Sequence, residues 1–197
     1  MDVARLTQQV QFILEIDKLK HVFRQTLLTD QSRYENDAEH SWHLAVMAIL
    51  LAEYATEPQL DLPRVMKMVV IHDLVEIDAG DTFCYDQHAV ETQLERERAA
   101  ADRVFGMLPP DQKNEFRALW DEFEARTSVE SKFANALDRL QPLLHNLNTD
   151  GGSWRAHDVT IDRVVKRCSP IGDGAPALWA AAHEWIKDAV KDGLLRG

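Results

Sequence analysis

Apolar residues recur at helical spacing through almost the whole chain, and this regularity restricts the possible folds more than any other feature of the sequence. No two alternating apolar and polar runs are joined by residues typical of a hairpin turn, so the sequence predicts an all-α fold. Capping residues, prolines and glycines mark the helix ends. The predicted helices cover roughly residues 2–20, 36–51, 61–79, 86–107, 128–148, 156–168 and 176–194, with another helix beginning at residue 111 and a polar loop at residues 29–36.

The composition fits one globular domain over residues 1–197. The chain is 45% hydrophobic and 28% charged, which is typical of a folded domain with a substantial core. Its longest wholly apolar run, which contains residues 45–52, is much shorter than the roughly 18–20 residues that span a bilayer, and the first residues show no secretory signal pattern. We therefore expect a cytoplasmic protein without a membrane segment.

The chain is strongly acidic, with a formal net charge of −11 and no basic run. Binding of a nucleic-acid polymer depends on several Lys and Arg side chains that neutralise phosphates together, so this charge argues against such a function. Binding of a small phosphorylated metabolite is nevertheless compatible with this net charge. One metal ion and one or two cationic side chains can neutralise its charge locally.

Four side chains on three predicted helices are of the types that bind divalent metal ions. His40 lies on the second helix, His72 and Asp73 are adjacent on the third, and Asp138 lies in the middle of the helix at residues 128–148. Adjacent residues on a helix point about 100° apart, so His72 and Asp73 reach one ion only if it lies between helices. Apolar neighbours would bury an uncompensated carboxylate at a cost of several kcal/mol, which a bound cation removes. The sequence therefore predicts a metal ion between these helices.

Each of these residues also has a purely structural interpretation. A single histidine on an apolar helix face is more often a hydrogen-bonded core residue than a ligand, and a His-Asp dipeptide often arises by chance. Two further acids in register with the pair favour the metal interpretation. Glu76 lies four residues after His72 and shares its helix face, where it can act as a general base. Asp81 follows Gly80 in the loop beyond the helix, where it is a candidate general acid or an ordinary turn residue.

Together these residues resemble the motif of the HD superfamily of phosphohydrolases, and within it the 5′-deoxynucleotidase-like proteins. The resemblance covers roughly residues 10–148. Each short piece is common, whereas their ordered combination is specific. The matching pieces are Glu39-His40-Ser41, His72-Asp73-x-x-Glu76-x-x-x-Gly80-Asp81 and Asn135-Ala136-Leu137-Asp138-Arg139-Leu140.

The resemblance implies an HD-domain helical bundle with a mononuclear metal site between its helices. Superfamily members that hold two metals need additional histidines between the His-Asp pair and the last aspartate, and this chain has only His88 there. Two histidines and two aspartates suit Mn, Co, Fe, Zn, Ni or Mg, so the sequence does not name the divalent ion. The roles that the resemblance implies are metal binding for His40, His72, Asp73 and Asp138, catalysis for Glu76 and Asp81, and phosphate binding for Arg24.

Three further positions near the motif have open roles. The stretch from Arg24 to His40 is one residue longer than the family pattern, and Gln25 stands where that pattern has an aromatic residue. Arg33 in the polar loop is a second candidate for phosphate binding. His43, three residues after His40, fits a supporting or core residue better than a ligand.

The predicted function is hydrolysis of a phosphomonoester, and specifically of a (deoxy)nucleoside 5′-monophosphate, by a metal-activated water. An HD-type phosphodiesterase, a nucleotide triphosphohydrolase and a non-catalytic nucleotide-binding regulatory protein are the alternatives. A helical interaction module is a further alternative, in which residues 179–189 form a partner surface, although they fit a core or a homodimer face better. We expect a homodimer that binds a small phosphorylated metabolite.

Overall fold

The computed structural model describes residues 2–197, apart from the side chains of residues 87 and 90. Helices account for most of this chain, which confirms the predicted fold class, and within the described residues no helix is long and apolar enough to cross a membrane. The elements are α1 (Val3–Ile16), β1 (Phe23–Leu27), β2 (Tyr34–Asn36), α2 (Asp37–Leu51), α3 (Leu62–Ile71), α4 (Glu76–Ala79), α5 (Gln87–Gly106), α6 (Pro110–Ala125), α7 (Val129–Leu147), α8 (Gly152–Ala156), α9 (Ile161–Cys168), α10 (Ile171–Gly174) and α11 (Pro176–Lys191), with 3-10 turns at Asp17–His21, Ala52–Tyr54 and His72–Val75.

Helix α7 is the centre of the bundle. It packs against α2, α3, α6, α10 and β1, and α2 and α3 also pack against each other. Its buried apolar residues include Phe133, Ala134, Leu137 and Leu140. Burial of such an apolar face is what holds a helix against its neighbours. The three helices that were predicted to carry or lead into the metal ligands are therefore mutual neighbours.

A short antiparallel hairpin interrupts the helical architecture, and here the sequence prediction was wrong. Strand β1 pairs with β2 so that Phe23 lies opposite Asn36 and Leu27 opposite Tyr34. Four residue steps separate these pairs on β1 (23 to 27) but only two on β2 (36 to 34), so the register is irregular and the alternation typical of strands is lost. The predicted loop therefore ends before Tyr34, and Arg24 lies on a strand.

The His72-Asp73 pair does not lie inside a continuous helix, contrary to the prediction. Helix α3 ends at Ile71, the pair opens the 3-10 turn His72–Val75, and α4 follows directly. No proline or glycine occurs between Ile71 and the end of α4, so intrinsic propensity alone favours one helix. Contacts of the turn with α2 and α5 override that preference. Helix α4 stops at Gly80, whose φ of 73° is readily adopted only by glycine.

The other helix boundaries follow the sequence signals with small shifts. Asn36 caps α2 through a capping box and Asp61 caps α3, close to where the sequence predicted these helices to begin. Ser128 caps α7 by accepting a hydrogen bond from the backbone nitrogen of Ser131. Helix α8 begins within residues 149–153, which were predicted to be a loop.

Gly174, at the end of α10, lies directly against the backbone of α7. A Cβ atom at this position would overlap the carbonyl oxygen of Lys132 and lie 2.7 Å from the backbone nitrogen of Phe133. We expect Gly174→Ala to lower the free energy of unfolding, measured in urea, by roughly 1–3 kcal/mol, because backbone atoms cannot move aside as a flexible side chain can. Gly106→Ala is the matched control, since nothing lies within 4 Å of its added Cβ. Equal losses in both variants would contradict this prediction.

Candidate metal centre

Four donor side chains converge in the interior of the bundle. His40 comes from α2, His72 and Asp73 from the turn after α3, and Asp138 from α7. The Nε2 atom of His40 lies 3.2 Å from Oδ1 of Asp138 and 4.0 Å from Oδ2 of Asp73. The Nε2 atom of His72 lies 3.0 Å from Oδ1 of Asp73 and 3.8 Å from Oδ1 of Asp138. Two donors that bind one ion at about 2.1 Å are roughly 3.0–3.4 Å apart, so these separations are close to those that one divalent cation requires.

The ring of His72 directs its Nε2 atom into this group. Its Nδ1–H donates to the backbone carbonyl oxygen of Val69 at 2.9 Å, which leaves a lone pair on Nε2 of the neutral ring. That Nε2 atom is buried and has no hydrogen-bond partner among the described residues. Burial lowers the pKa of His72, but Asp73 and Asp138 outweigh this and raise the pKa to about 9, so a proton occupies Nε2 at neutral pH unless a cation replaces it. The position of Nε2 therefore attracts positive charge, as a metal ligand requires.

The ring of His40 lies in a different electrostatic environment. Burial and the charge of Arg24 lower the pKa of His40 to about 4, against the opposing effect of Asp138 and Asp73. The ring is therefore neutral at physiological pH. Its Nδ1 lies 3.1 Å from the amide oxygen of Gln141, while Nε2 faces the carboxylates. A neutral imidazole nitrogen directed at two carboxylates fits the donor set of a bound cation.

Further acidic side chains are packed beside the four donors. Asp37, Asp73 and Glu76 form a group whose carboxylate oxygens lie within 4.8 Å of one another. Burial raises the pKa of Glu76 well above its ordinary value, and repulsion from Asp73, Asp37 and Asp81 adds to this effect. Burial likewise raises the pKa of Asp81. Such a concentration of buried carboxylates requires compensating protons or cations.

Arg24 supplies one compensating cation. Its Nη1 donates to Asp73 at 3.0 Å and to Asp37 at 3.2 Å, and lies 3.9 Å from Oδ1 of Asp81. Burial opposes the charged form, but these carboxylates hold the pKa of Arg24 well above its ordinary value. The structure thus brings Arg24 and Asp81 to the same place as the predicted metal ligands and Glu76.

Two cavities adjoin this site and differ in the character of their walls. Both are lined by Arg24, Asp81, Thr82, Asp138 and Arg167. The first cavity is additionally lined by aromatic, apolar and small polar side chains, among them Thr26, Phe83, Tyr85, Leu143, Asn146, Ser153 and Trp154. The second cavity is additionally lined by more acidic side chains and two aromatic rings, among them Glu76, Glu97, Glu124, Trp120 and Phe123.

This geometry agrees with the relationship of the chain to known proteins. The family described as HD domain matches residues 16–179, which is most of the chain. This chain belongs to the HD domain family. A solved structure described as a predicted metal-dependent phosphohydrolase from Magnetospirillum magnetotacticum MS-1 is 55% identical, with a TM-score of 0.94 over 98% of this HD chain and 96% of the other.

Curated relatives of this HD protein carry a more specific name. Human 5′-deoxynucleotidase HDDC2 is 29% identical over 136 residues, and its Xenopus laevis counterpart is 30% identical over 139 residues. These alignments cover 68% and 70% of the present chain, and 65% and 67% of the relatives' own lengths. The chain therefore spans about two-thirds of the length of the curated relatives that it matches.

Arg167 is a candidate functional residue of this HD domain that the sequence analysis missed. It lies on α9, its Nη2 is 3.6 Å from Oδ2 of Asp138, and its side chain is 34% exposed. It therefore lies next to a predicted metal ligand and also reaches both cavities. The sequence around it shows only a pair of basic residues in the last turn of a helix, which is common at helix C-termini, so no signal separated it from an ordinary surface residue.

Three other side chains that the sequence analysis considered lie apart from the four donors of the HD motif. Arg33 forms ion-paired hydrogen bonds with Glu39 at 2.5 and 2.8 Å and lines neither cavity. His88 is exposed on α5 and also lines neither cavity. His43 is half-buried, and its Nδ1 lies 3.3 Å from the amide nitrogen of Gln141. None of them is placed to complete the donor group.

Proposed function

We propose that this HD protein is a metal-dependent phosphohydrolase that removes the phosphate from nucleoside 5′-monophosphates. The observation that carries the proposal is the convergence of two imidazole nitrogens and two carboxylates at separations close to those that one ion requires. The names of the relatives, 5′-deoxynucleotidase and metal-dependent phosphohydrolase, support the reaction class. In this proposal a single divalent ion is held by His40, His72, Asp73 and Asp138.

The acids beside the ligands divide the proton transfers between them. A bound divalent ion supplies Lewis acidity, which lowers the pKa of a water molecule and attracts the charge of phosphoryl oxygens. Glu76 accepts the proton of the attacking water, and its raised pKa makes its carboxylate a stronger base than that of an exposed glutamate. Asp81 lines both cavities and protonates the leaving oxygen, since burial raises its pKa and favours the protonated form.

The walls of the two cavities support a nucleoside monophosphate as substrate. Phe83 and Trp154 offer aromatic surface in the first cavity, and Asn146 offers an amide, which together suit a nucleobase and sugar. In the second cavity, Glu97 and Glu124 add negative charge once they are ionised, although burial raises the pKa of both, to about 7 for Glu97, and Arg126 lines the same cavity. Above that pH a longer phosphate chain extending there would meet repulsion from the glutamates, which favours a monophosphate over a triphosphate.

The proposal is tested by phosphate release from a panel of compounds with Mn²⁺, Co²⁺, Ni²⁺, Zn²⁺ or Mg²⁺. The panel contains ribo- and deoxyribonucleoside 5′-monophosphates, their 3′-phosphates and triphosphates, cyclic nucleotides and sugar phosphates. We expect inorganic phosphate and a nucleoside from 5′-monophosphates. No phosphate with any ion, or tight nucleotide binding without turnover, would overturn the proposal, and pyrophosphate or an opened cyclic nucleotide as the product would assign another reaction class. The same panel identifies the ion and the sugar preference.

Arg167 and Arg24 are proposed to bind the phosphoryl oxygens. Because Arg24 already donates to Asp73 and Asp37, Arg167 is the better placed of the two to gain a new anionic partner. We expect Arg167→Ala to lower kcat/KM roughly 10- to 100-fold, the equivalent of one lost hydrogen bond to a charged group. Arg33→Ala is the matched control and should change kcat/KM less than about twofold. Equal kinetics of the Arg167 variant and the wild type would contradict the assignment.

A homodimer and a single domain are also proposed. Helix α11 buries Ala182, Ile186 and Ala189 in the core and exposes Trp185 alone among its large apolar side chains, which is less than the surface of an interaction module needs. The exposed apolar side chains of α1 and α2 are better candidates for a dimer face, and we expect light scattering to give twice the chain mass. A monomer at micromolar concentration would contradict the dimer. These side chains are Val3, Leu6, Val10, Ile13, Leu14, Trp42, Ile49 and Leu50.

The single domain and the cytoplasmic location are predictions from the sequence. The buried apolar residues of the described chain form one cluster, which supports a single domain over residues 1–197. The cytoplasmic location stays a prediction from the sequence.

A further inference from the structure

A buried polar network contacts Nδ1 of His40, the ring nitrogen that points away from the other three donors. At its centre Gln141, on α7, is fully buried. The Oε1 atom of Gln141 lies 3.1 Å from Nδ1 of His40. Its Nε2 donates to Oε1 of Glu35 at 2.6 Å and lies 3.0 Å from Nε2 of His145. The network therefore connects a predicted metal ligand on α2 to strand β2 and to the next turn of α7.

The surroundings determine which end of the Gln141 amide faces His40. His145 donates its Nδ1–H to the backbone carbonyl oxygen of Leu27 at 2.8 Å, so Nε2 of its neutral ring is an acceptor. The carboxylate of Glu35 also accepts. Glu35 and His145 therefore both need the amide nitrogen of Gln141 as their hydrogen-bond donor. Rotating the amide by 180° would bring two acceptor oxygens to within 2.6 Å of each other at Glu35.

This orientation selects one tautomer of His40. The amide oxygen of Gln141 can only accept, so Nδ1 of His40 carries the proton and Nε2 presents its lone pair to the donor group. In the other tautomer, Nε2–H would donate to Asp138, which lies 3.2 Å away, and the proton would stand where an ion binds. Asp138 favours that second tautomer, whereas the Gln141 network opposes it.

We propose that Gln141 is a positioning residue of the metal centre, which Glu35 and His145 orient so that it holds His40 in the tautomer that binds a cation. The inference rests on the proposed function in one respect, namely that His40 is a metal ligand. The hairpin is essential to the arrangement, because β2 supplies Glu35 and β1 supplies the carbonyl of Leu27.

A second metal ion in this network is the competing interpretation. Glu35, His43 and His145 each offer a ligand atom, and these atoms lie within 4.8 Å of one another. The amide nitrogen of Gln141, however, is 2.6 Å from Glu35, 3.3 Å from His43 and 3.0 Å from His145. It already occupies the position that an ion would take, so the contacts favour the positioning role.

The tautomer of His40 can be read from the ¹⁵N shifts of its ring by NMR in metal-free protein. The measurement is made at pH 8, because burial raises the pKa of Glu35 to about 7 and its carboxylate form is required. We expect Nδ1–H in the wild type and Nε2–H in Gln141→Met, which keeps a side chain of similar length without the amide. Loss of such a supporting contact typically weakens metal binding by about 10- to 100-fold. We expect a loss of that size for Mn²⁺ and Zn²⁺, measured by competition with a chelator.

Two further variants separate positioning from a general structural role. Gln112→Met removes an amide that hydrogen-bonds Gln9 on the far α1–α6 contact, and its metal affinity should equal that of the wild type. Exchanging the two groups, in the double variant Glu35→Gln and Gln141→Glu, keeps an acceptor facing His40 and places a donor at position 35, while Nε2 of His145 must take up a proton to donate to the new carboxylate. We expect this exchange to restore the Nδ1–H tautomer and to recover part of the lost affinity, which a role in packing alone would not predict.

The outcomes that overturn the inference do not depend on enzyme activity. A wild-type His40 that carries its proton on Nε2 overturns it even if Gln141→Met fails to fold. So does a folded Gln141→Met variant with the wild-type tautomer and affinity. A wild type that shows the expected tautomer and binds metal but releases no phosphate from any compound would refute the proposed function and leave this inference intact.

Discussion

Replacing Asp73 by asparagine is expected to abolish both metal binding and phosphate release. The carboxylate of Asp73 lies 3.0 Å from Nε2 of His72 and 4.0 Å from Nε2 of His40, so in the proposed site it touches the ion together with both rings. An amide of the same shape lacks the charge that offsets the dehydration of a divalent cation. Since the charge stabilisation by such an ion is worth several kcal/mol, kcat/KM should fall by about 10³-fold or more.

The stability of the metal-free variant distinguishes this loss from misfolding. Burial and repulsion from Asp37 raise the pKa of Asp73, although His72 and Arg24 oppose them. The ionised carboxylate therefore lowers the free energy of unfolding of the metal-free protein at neutral pH. The neutral Asp73→Asn side chain removes that destabilisation at neutral pH. We therefore expect its melting temperature without metal to equal or exceed that of the wild type. Wild-type metal affinity in the variant, measured by calorimetry, would refute the assignment of Asp73 as a ligand.

The sequence allowed the metal-ligand candidates to be singled out, because their side chains are of the types that bind divalent ions. His40, His72, Asp73 and Asp138 could be singled out because imidazole and carboxylate groups at buried helical positions are costly unless they bind something. The structure brings their donor atoms together, although the sequence could not foresee that the pair opens a 3-10 turn. That break depends on contacts with α2 and α5, and such tertiary contacts leave no local pattern in the sequence.

The supporting residues escaped prediction for a related reason. Glu35 and Leu27 approach α7 only through a hairpin whose three-residue strand and irregular register give no alternation to detect. Gln141 reads as an ordinary helix residue until Glu35 and His145 are placed on one side of it and His40 on the other. Arg167 lies 29 positions after Asp138 (167 − 138), and only the packing of α9 on α7 brings it to the site.

Glu76→Gln is expected to keep the metal and lose turnover, which separates proton transfer from metal binding. Glu76 is buried beside Asp73 and Asp37 but is not one of the four converging donors, so metal affinity should stay within a few-fold of the wild type. Removal of a general base lowers kcat by about 10²- to 10⁴-fold. Glu97→Gln is the matched control, because this buried glutamate lines the same cavity but is not part of the donor group, and its kcat should change little.

The pH profile tests the role of Glu76 more directly than the size of the loss. A general base acts only when deprotonated, so wild-type kcat should fall as the pH drops through the pKa of Glu76 in the metal-loaded enzyme. Burial and the neighbouring acids raise that pKa in the metal-free protein, and a bound cation lowers it again by attraction. The acid limb should disappear in Glu76→Gln and persist in Glu97→Gln. If Glu76→Gln instead loses the metal as completely as Asp73→Asn, Glu76 belongs to the ligand set and the proton acceptor must be sought among Asp37 and Asp81, the other carboxylates that contribute to its pKa shift.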